Sequence, residues 1–154
     1  MFILLTYINY LYMCSVNTLT ITLNDFSANI GVIFRLKLGM KVLKDFIAEA
    51  NELVSKISCK EFAENKERFF IVDVREPSEI QETGSIDDSL NIPRGLLEMK
   101  LAPDPSALHA DSSILVYCGG GSRAALAGRT LMELGFTNVK NLEGGFRGWK
   151  KFSG

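Results

Sequence analysis

The chain has 154 residues, 47% apolar and 23% charged, with a formal net charge of −1, all near the globular average. That length holds one domain with a real core rather than two ordinary ones, and the balanced charge offers no basic field to nucleic acid. Three cysteines, Cys14, Cys59 and Cys118, stand apart with no CxxC or Cys/His cluster, which argues against a disulfide framework and a zinc site and favours reduced thiols in the cytoplasm.

Residues 1–39 read as an extension distinct from the domain at 40–154. Met1 to Leu23, MFILLTYINYLYMCSVNTLTITL, carries no charge, and Asp25, Arg35 and Lys37 are the first to appear. The segment is long enough for a membrane-spanning helix of about 20 residues, although Asn9, Ser15, Asn17 and several threonines weaken that reading. It lacks the positive n-region of a secretory signal. An extended reading frame with its natural start at Met40, a membrane-associating segment and an ordinary N-terminal β element remain as alternatives. Any membrane contact is expected only through residues 1–23.

From Lys41 the pattern alternates helix and strand. Residues 41–55 form an amphipathic helix with Val42, Leu43, Phe46, Ile47, Ala50 and Leu53 on one face. Ile57–Cys59 reads as a short strand and Lys60–Asn65 as a short helix. Phe69–Val74 is a nearly continuous apolar run, as expected of a strand buried on both faces. Pro77 opens a helical turn over Glu76–Glu82, where its missing N–H is harmless, and Gly84 ends it. Leu90–Ile92 is a third strand, Arg94–Leu101 is helical, and Pro103-Asp-Pro105 is a loop. Ile114–Tyr117 is a fourth strand, Ser122–Leu134 a helix capped by Gly135, Val139–Leu142 a last strand, and Phe146–Lys151 a final helical turn. Strands separated by helices predict an α/β fold with a mostly parallel sheet of about five strands and helices on both faces. Ligands of such sheets sit beyond the carboxyl ends of the strands, where Cys118 falls.

The stretch from Ile114 to Gly128, ILVYCGGGSRAALAG, carries the chemistry. Three glycines after a strand-end cysteine let successive N–H groups turn inward, a concave nest for negative charge. The helix from Ser122 adds its unpaired N–H groups and positive dipole end, and Arg123 adds a permanent cation. Such a nest favours an anion on the Cys118 sulfur, the nucleophilic form. The sole histidine, His109, lies in a loop before the strand, so a Cys–His pair is not expected. A dinucleotide fingerprint competes: Gly119 to Ala124 satisfies GxGxxA, and Glu143 stands about twenty residues on. The chain ends eleven residues after Glu143, which leaves no room for the rest of that fold.

The loop and three further stretches together resemble the single-domain rhodanese family of sulfurtransferases. Cys118, Gly121 and Arg123 match its CxxGxR loop. Ile71–Glu76 resembles its DVR(E) strand end, Gly84–Pro93 (GSIDDSLNIP) its GHIPGAxNIP segment, and Leu142–Trp149 (LEGGFRGW) its closing GGxxxW. The similarity covers about Glu52 to Gly154. It implies a cofactor-free persulfide relay, in which Cys118 takes sulfur from a small donor anion such as thiosulfate, or from a protein persulfide, and passes it to a thiol or cyanide. Gly119, Gly120, Gly121, Ser122 and Arg123 are then the substrate-binding residues. Related phosphatases place five residues between cysteine and arginine. Here four intervene, and the smaller ring favours sulfur chemistry. Ser85 and Asp88-Ser89 depart from the pattern at structural positions. Gly119 and Gly120 leave the pocket mouth bare where members active on thiosulfate often carry a basic residue, which implies weak thiosulfate activity. The alternative from another class is a non-catalytic module that binds a partner or senses redox state through the same thiol.

Other residues read as structural. Asp73 and Arg75 are placed to face the active site, but the reading preferred is that Asp73 ties down a loop and Arg75 pairs with an acid. Glu76 and Glu79 are first-turn helix acids, Phe146 and Trp149 pack a core or lid, Cys14 and Cys59 are inert, and Lys150-Lys151 face solvent.

Overall fold

The computed structural model describes residues 40–101 and 108–154. The readings of residues 1–39 and of the loop Pro103-Asp-Pro105 fall outside them. Five strands, β1 (Ser55–Ile57), β2 (Phe70–Asp73), β3 (Leu90–Asn91), β4 (Ile114–Tyr117) and β5 (Val139–Leu142), form one sheet in the order β1-β5-β4-β2-β3. Every pairing is parallel. The helices are α1 (Leu43–Leu53), α2 (Cys59–Asn65), α3 (Pro77–Thr83), α4 (Leu97–Lys100), α5 (Ser122–Glu133) and α6 (Gly145–Ser153).

The strands alternate between two cores, because successive side chains leave a strand on opposite faces. Ile114, Val116 and Cys118 join Val72, Val54, Ala124, Ala127 and Leu131 in one cluster. Leu115 and Tyr117 join Ile71, Ile57, Phe62 and Phe146 in the other. All four residues of β4 are buried, and each such aliphatic side chain contributes roughly 1.5–3 kcal/mol. From β2 the chain runs outward to β3. From β4 it runs to β5 on the other side. The connections therefore diverge between β2 and β4, and the crevice there opens at the carboxyl end of both strands.

Two local expectations shift. The first strand is Ser55–Ile57, not Ile57–Cys59, because Ser58 caps α2 by accepting from the Glu61 N–H at 3.1 Å. A residue that caps a helix takes extended backbone, and the next one turns into the helix. The face of α1 also differs. Leu43, Phe46 and Leu53 are exposed, and Ala50 is the buried residue of the helix. Small residues set this contact: α1 packs against α5, and Val54, just after α1, lies so close to Gly128 that a Cβ there would come within 2.8 Å of it. Among the described residues no helix is long and apolar enough to cross a membrane.

Candidate active site

Cys118 follows the last residue of β4 and is 2% exposed. Its Sγ accepts a hydrogen bond from the Gly121 N–H at 3.1 Å. Gly121 is the N-cap of α5 with φ +102°, a left-handed conformation that glycine adopts without steric cost. The Gly121 carbonyl accepts from Ala125 N–H at 2.9 Å and from Asn141 Nδ2 at 3.1 Å. Asn141, buried on β5, thus pins the junction of loop and helix. The loop is held from the other side by α6. Phe146 N–H donates to the Cys118 carbonyl at 2.7 Å and Arg147 N–H to the Gly119 carbonyl at 3.3 Å.

A cavity of about 430 Å³ opens over this loop, lined by Cys118, Gly119, Gly120, Ser122 and Arg123 together with α3 and α6 residues. All the predicted site residues but Gly121 therefore line one cavity, and Gly121 reaches it through its bond to Cys118 Sγ. The amide ring is narrower than expected: of the N–H groups from Gly119 to Arg123, that of Gly121 bonds to Sγ. The other four have no acceptor among the described residues. Sγ therefore takes one amide of the loop, and Cys118 and the residues carrying the other four, Gly119, Gly120, Ser122 and Arg123, line the cavity.

Arg123 does not stand alone. Its Nη1 and Nη2 bind the two carboxylate oxygens of Glu79 at 2.6 and 2.7 Å, the bidentate geometry favoured between arginine and carboxylate. Arg123 holds the Glu79 carboxyl down at about 2. Glu79, and secondarily the Cys118 sulfur, push the guanidinium above its ordinary range. Glu79 also accepts from Glu76 N–H at 3.1 Å. Read from sequence as a first-turn helix acid, it is one, and it also fixes the loop arginine.

Asp73 and Arg75 form a buried ion pair with each other, and Arg75 also lines the cavity. Both are buried, with Arg75 Nη2 2.7 Å from the Asp73 carboxylate. The guanidinium also donates to Thr83 Oγ1 at 2.9 Å and the Gly84 carbonyl at 2.8 Å, and lies 4.1 Å from the Phe146 ring centroid. Burial opposes its charge, and the Asp73 hydrogen bonds outweigh that, so its pKa is raised. Trp149 packs edge-on against Phe62 at 5.0 Å. Cys59 donates to the Glu143 carbonyl at 3.6 Å. Burial, and then the Glu143 charge, push its thiol pKa up, which suits an inert cysteine. Among the described residues no group of His, Cys, Asp or Glu gathers to hold a metal.

The rim is not bare, contrary to the sequence reading. A methyl group on Gly120 would collide with the Arg147 guanidinium, whose Cζ would stand 3.3 Å away. Helix α6 thus lays a basic side chain across the loop where the loop has none. No local signal in GGFRGW announces this, because the contact joins residues 27 apart in the chain.

A parallel sheet with a buried cysteine at the carboxyl end of a central strand, beneath a loop that runs into a helix, defines a cysteine-centred α/β domain. The Rhodanese-like domain family model matches residues 50–152, and the chain belongs to that family. It is 32% identical over 101 residues to a sulfurtransferase of Allochromatium vinosum, covering 66% of this chain and 89% of that one. The human single-domain sulfurtransferase TSTD1 superposes with a TM-score of 0.58 at 26% identity, over 66% of this chain and 99% of that one. A protein of unknown function from Rhodopseudomonas palustris, described as a possible tyrosine phosphatase, superposes with a TM-score of 0.65 at 30% identity, over 74% and 92%. The sulfurtransferase relatives support a rhodanese-type sulfur-transfer role in general terms.

Proposed function

We propose that this domain moves sulfane sulfur through a persulfide on Cys118. The observation that carries the reading is the Gly121 N–H bond to Cys118 Sγ at the floor of an open cavity. The Cys118 thiolate attacks the outer sulfur of a donor such as thiosulfate. A new S–S bond forms, the old one breaks, and sulfite leaves with its electron pair. The terminal sulfur then carries the negative charge about 2.05 Å beyond Sγ, out among the amides of Gly119, Gly120, Ser122 and Arg123 that have no acceptor among the described residues. Backbone amides aimed at a developing anion are an effective form of stabilisation. An acceptor thiolate or cyanide attacks that outer sulfur, takes it, and returns the Cys118 thiolate. No redox partner is consumed and no cofactor is needed. Free thiols suit a reducing compartment such as the cytoplasm.

The rival activities are separable. A phosphatase would need a wider cradle than the four residues between Cys118 and Arg123 allow, so no turnover of p-nitrophenyl phosphate is expected. A non-catalytic module would take up no sulfur. Incubation with thiosulfate, or with an organic persulfide, followed by intact-mass measurement decides. One added sulfur on the wild type and none on Cys118→Ser supports the relay. No adduct from either donor removes it.

A further inference from the structure

Three arginines line the cavity over the loop, Arg75, Arg123 and Arg147, and their charges are not equally available. Arg75 is buried and saturated by Asp73, Thr83 and Gly84. Both terminal nitrogens of Arg123 are taken by Glu79. The paired carboxylate offsets most of the Arg123 charge, which weakens its pull on a second anion. Arg147 is exposed, and no carboxylate among the described residues pairs with it. Its guanidinium lies against Gly120, in the space a side chain there would fill. The remaining charged residue of the wall, Glu82 on α3, repels anions. Attraction of a negative donor therefore falls to Arg147.

We propose that Arg147 is the donor-recognition residue of this site. Its guanidinium binds the anionic end of a small sulfur donor, the oxygens of a thiosulfonate-type group or of a carboxylate, while the loop amides receive the sulfur. Resting on the sulfur-transfer reading above, this names the class of donor: an anion that presents oxygens to the rim and sulfur to the floor. Gly120 is the matching half of the device, since a side chain there would displace the arginine. The cation comes from α6 rather than from the loop, and the Arg147 N–H bond to Gly119 and the Phe146 N–H bond to Cys118 hold that helix in place.

The test uses two alkylating probes that differ in charge and need no sulfur transfer. Iodoacetate and iodoacetamide are reacted with the full chain, and the rate at Cys118 is read by peptide mass spectrometry. Arg147→Ala is expected to slow iodoacetate roughly twofold to fivefold, the range of an exposed charge contact, while iodoacetamide stays close to its wild-type rate. Arg147→Lys should recover most of the iodoacetate rate, and added salt should shrink the wild-type preference. With thiosulfate, Arg147→Ala should raise KM and leave the limiting rate of persulfide formation close to wild type. Equal slowing of both reagents would mean that Arg147 only shapes the loop, and no slowing of iodoacetate would mean that it attracts nothing. Either result overturns the proposal. A wild type that takes no sulfur from any donor defeats the sulfur-transfer reading instead, and the ratio of alkylation rates still decides whether Arg147 recruits anions.

Discussion

Gly145→Ala tests how the cysteine loop is held. Gly145 opens α6 with φ +57°, and its Cα faces the loop backbone directly. A Cβ there would overlap the Cys118 carbonyl oxygen and come within 2.9 Å of Gly120 N and 3.0 Å of Gly119 C. These are backbone atoms, so no rotamer change relieves the contact. A left-handed backbone costs a non-glycine residue about 1–2 kcal/mol, and overpacking a tight site about 1–3 kcal/mol. Together they predict a loss of roughly 2–5 kcal/mol. At about 4 °C per kcal/mol for a domain of this size, the melting temperature should fall by roughly 8–20 °C in differential scanning calorimetry of the full chain. Gly95→Ala is the control, since a Cβ there meets nothing within 4 Å, and it should stay within about 0.5 kcal/mol of wild type. A loss below about 3 °C for Gly145→Ala would refute the claim that α6 and the loop are locked backbone to backbone.

Two further outcomes follow from the charged pairs. Asp73→Ala strands the Arg75 guanidinium in the interior and should cost about 3–5 kcal/mol in urea denaturation; a change under about 1 kcal/mol would contradict the reading of that pair as structural. The Glu79 carboxyl sits at about 2 in the folded state, below the roughly 4.3 of an unperturbed glutamate. A depressed carboxyl adds stability that is complete above its unfolded pKa and is lost as pH falls through the folded one. Wild type should therefore keep a constant, modest margin over Glu79→Gln from about pH 7 to pH 5 and lose it between about pH 4 and pH 2. A margin unchanged down to pH 2 would show that the Glu79 charge does not contribute.

Much of the architecture is written in local pattern. The nearly continuous apolar run at Phe69–Val74 and the continuous one at Ile114–Tyr117 predict strands covered on both faces, and both lie inside the sheet. Helix α5 follows from the Gly121 start and the Gly135 end. Periodicity groups the residues of α1 on one face but does not say which neighbour that face meets, and Leu43, Phe46 and Leu53 on it are exposed. The candidate site loop is legible because its cysteine, glycines and arginine are contiguous. Glu79 and Arg147, which set the charge around it, reach the loop from α3 and α6. Their roles depend on pairings 44 and 27 residues long, and no local signal carries such a contact.

The most direct measurement follows one sulfur atom through a single turnover. Wild-type protein is loaded with thiosulfate, freed of excess donor, and mixed with cyanide. The relay requires one equivalent of thiocyanate for each added sulfur, a return of the intact mass to that of the bare chain, and neither event in Cys118→Ser. A sulfur adduct that cyanide cannot remove, or thiocyanate produced equally by Cys118→Ser, would contradict it.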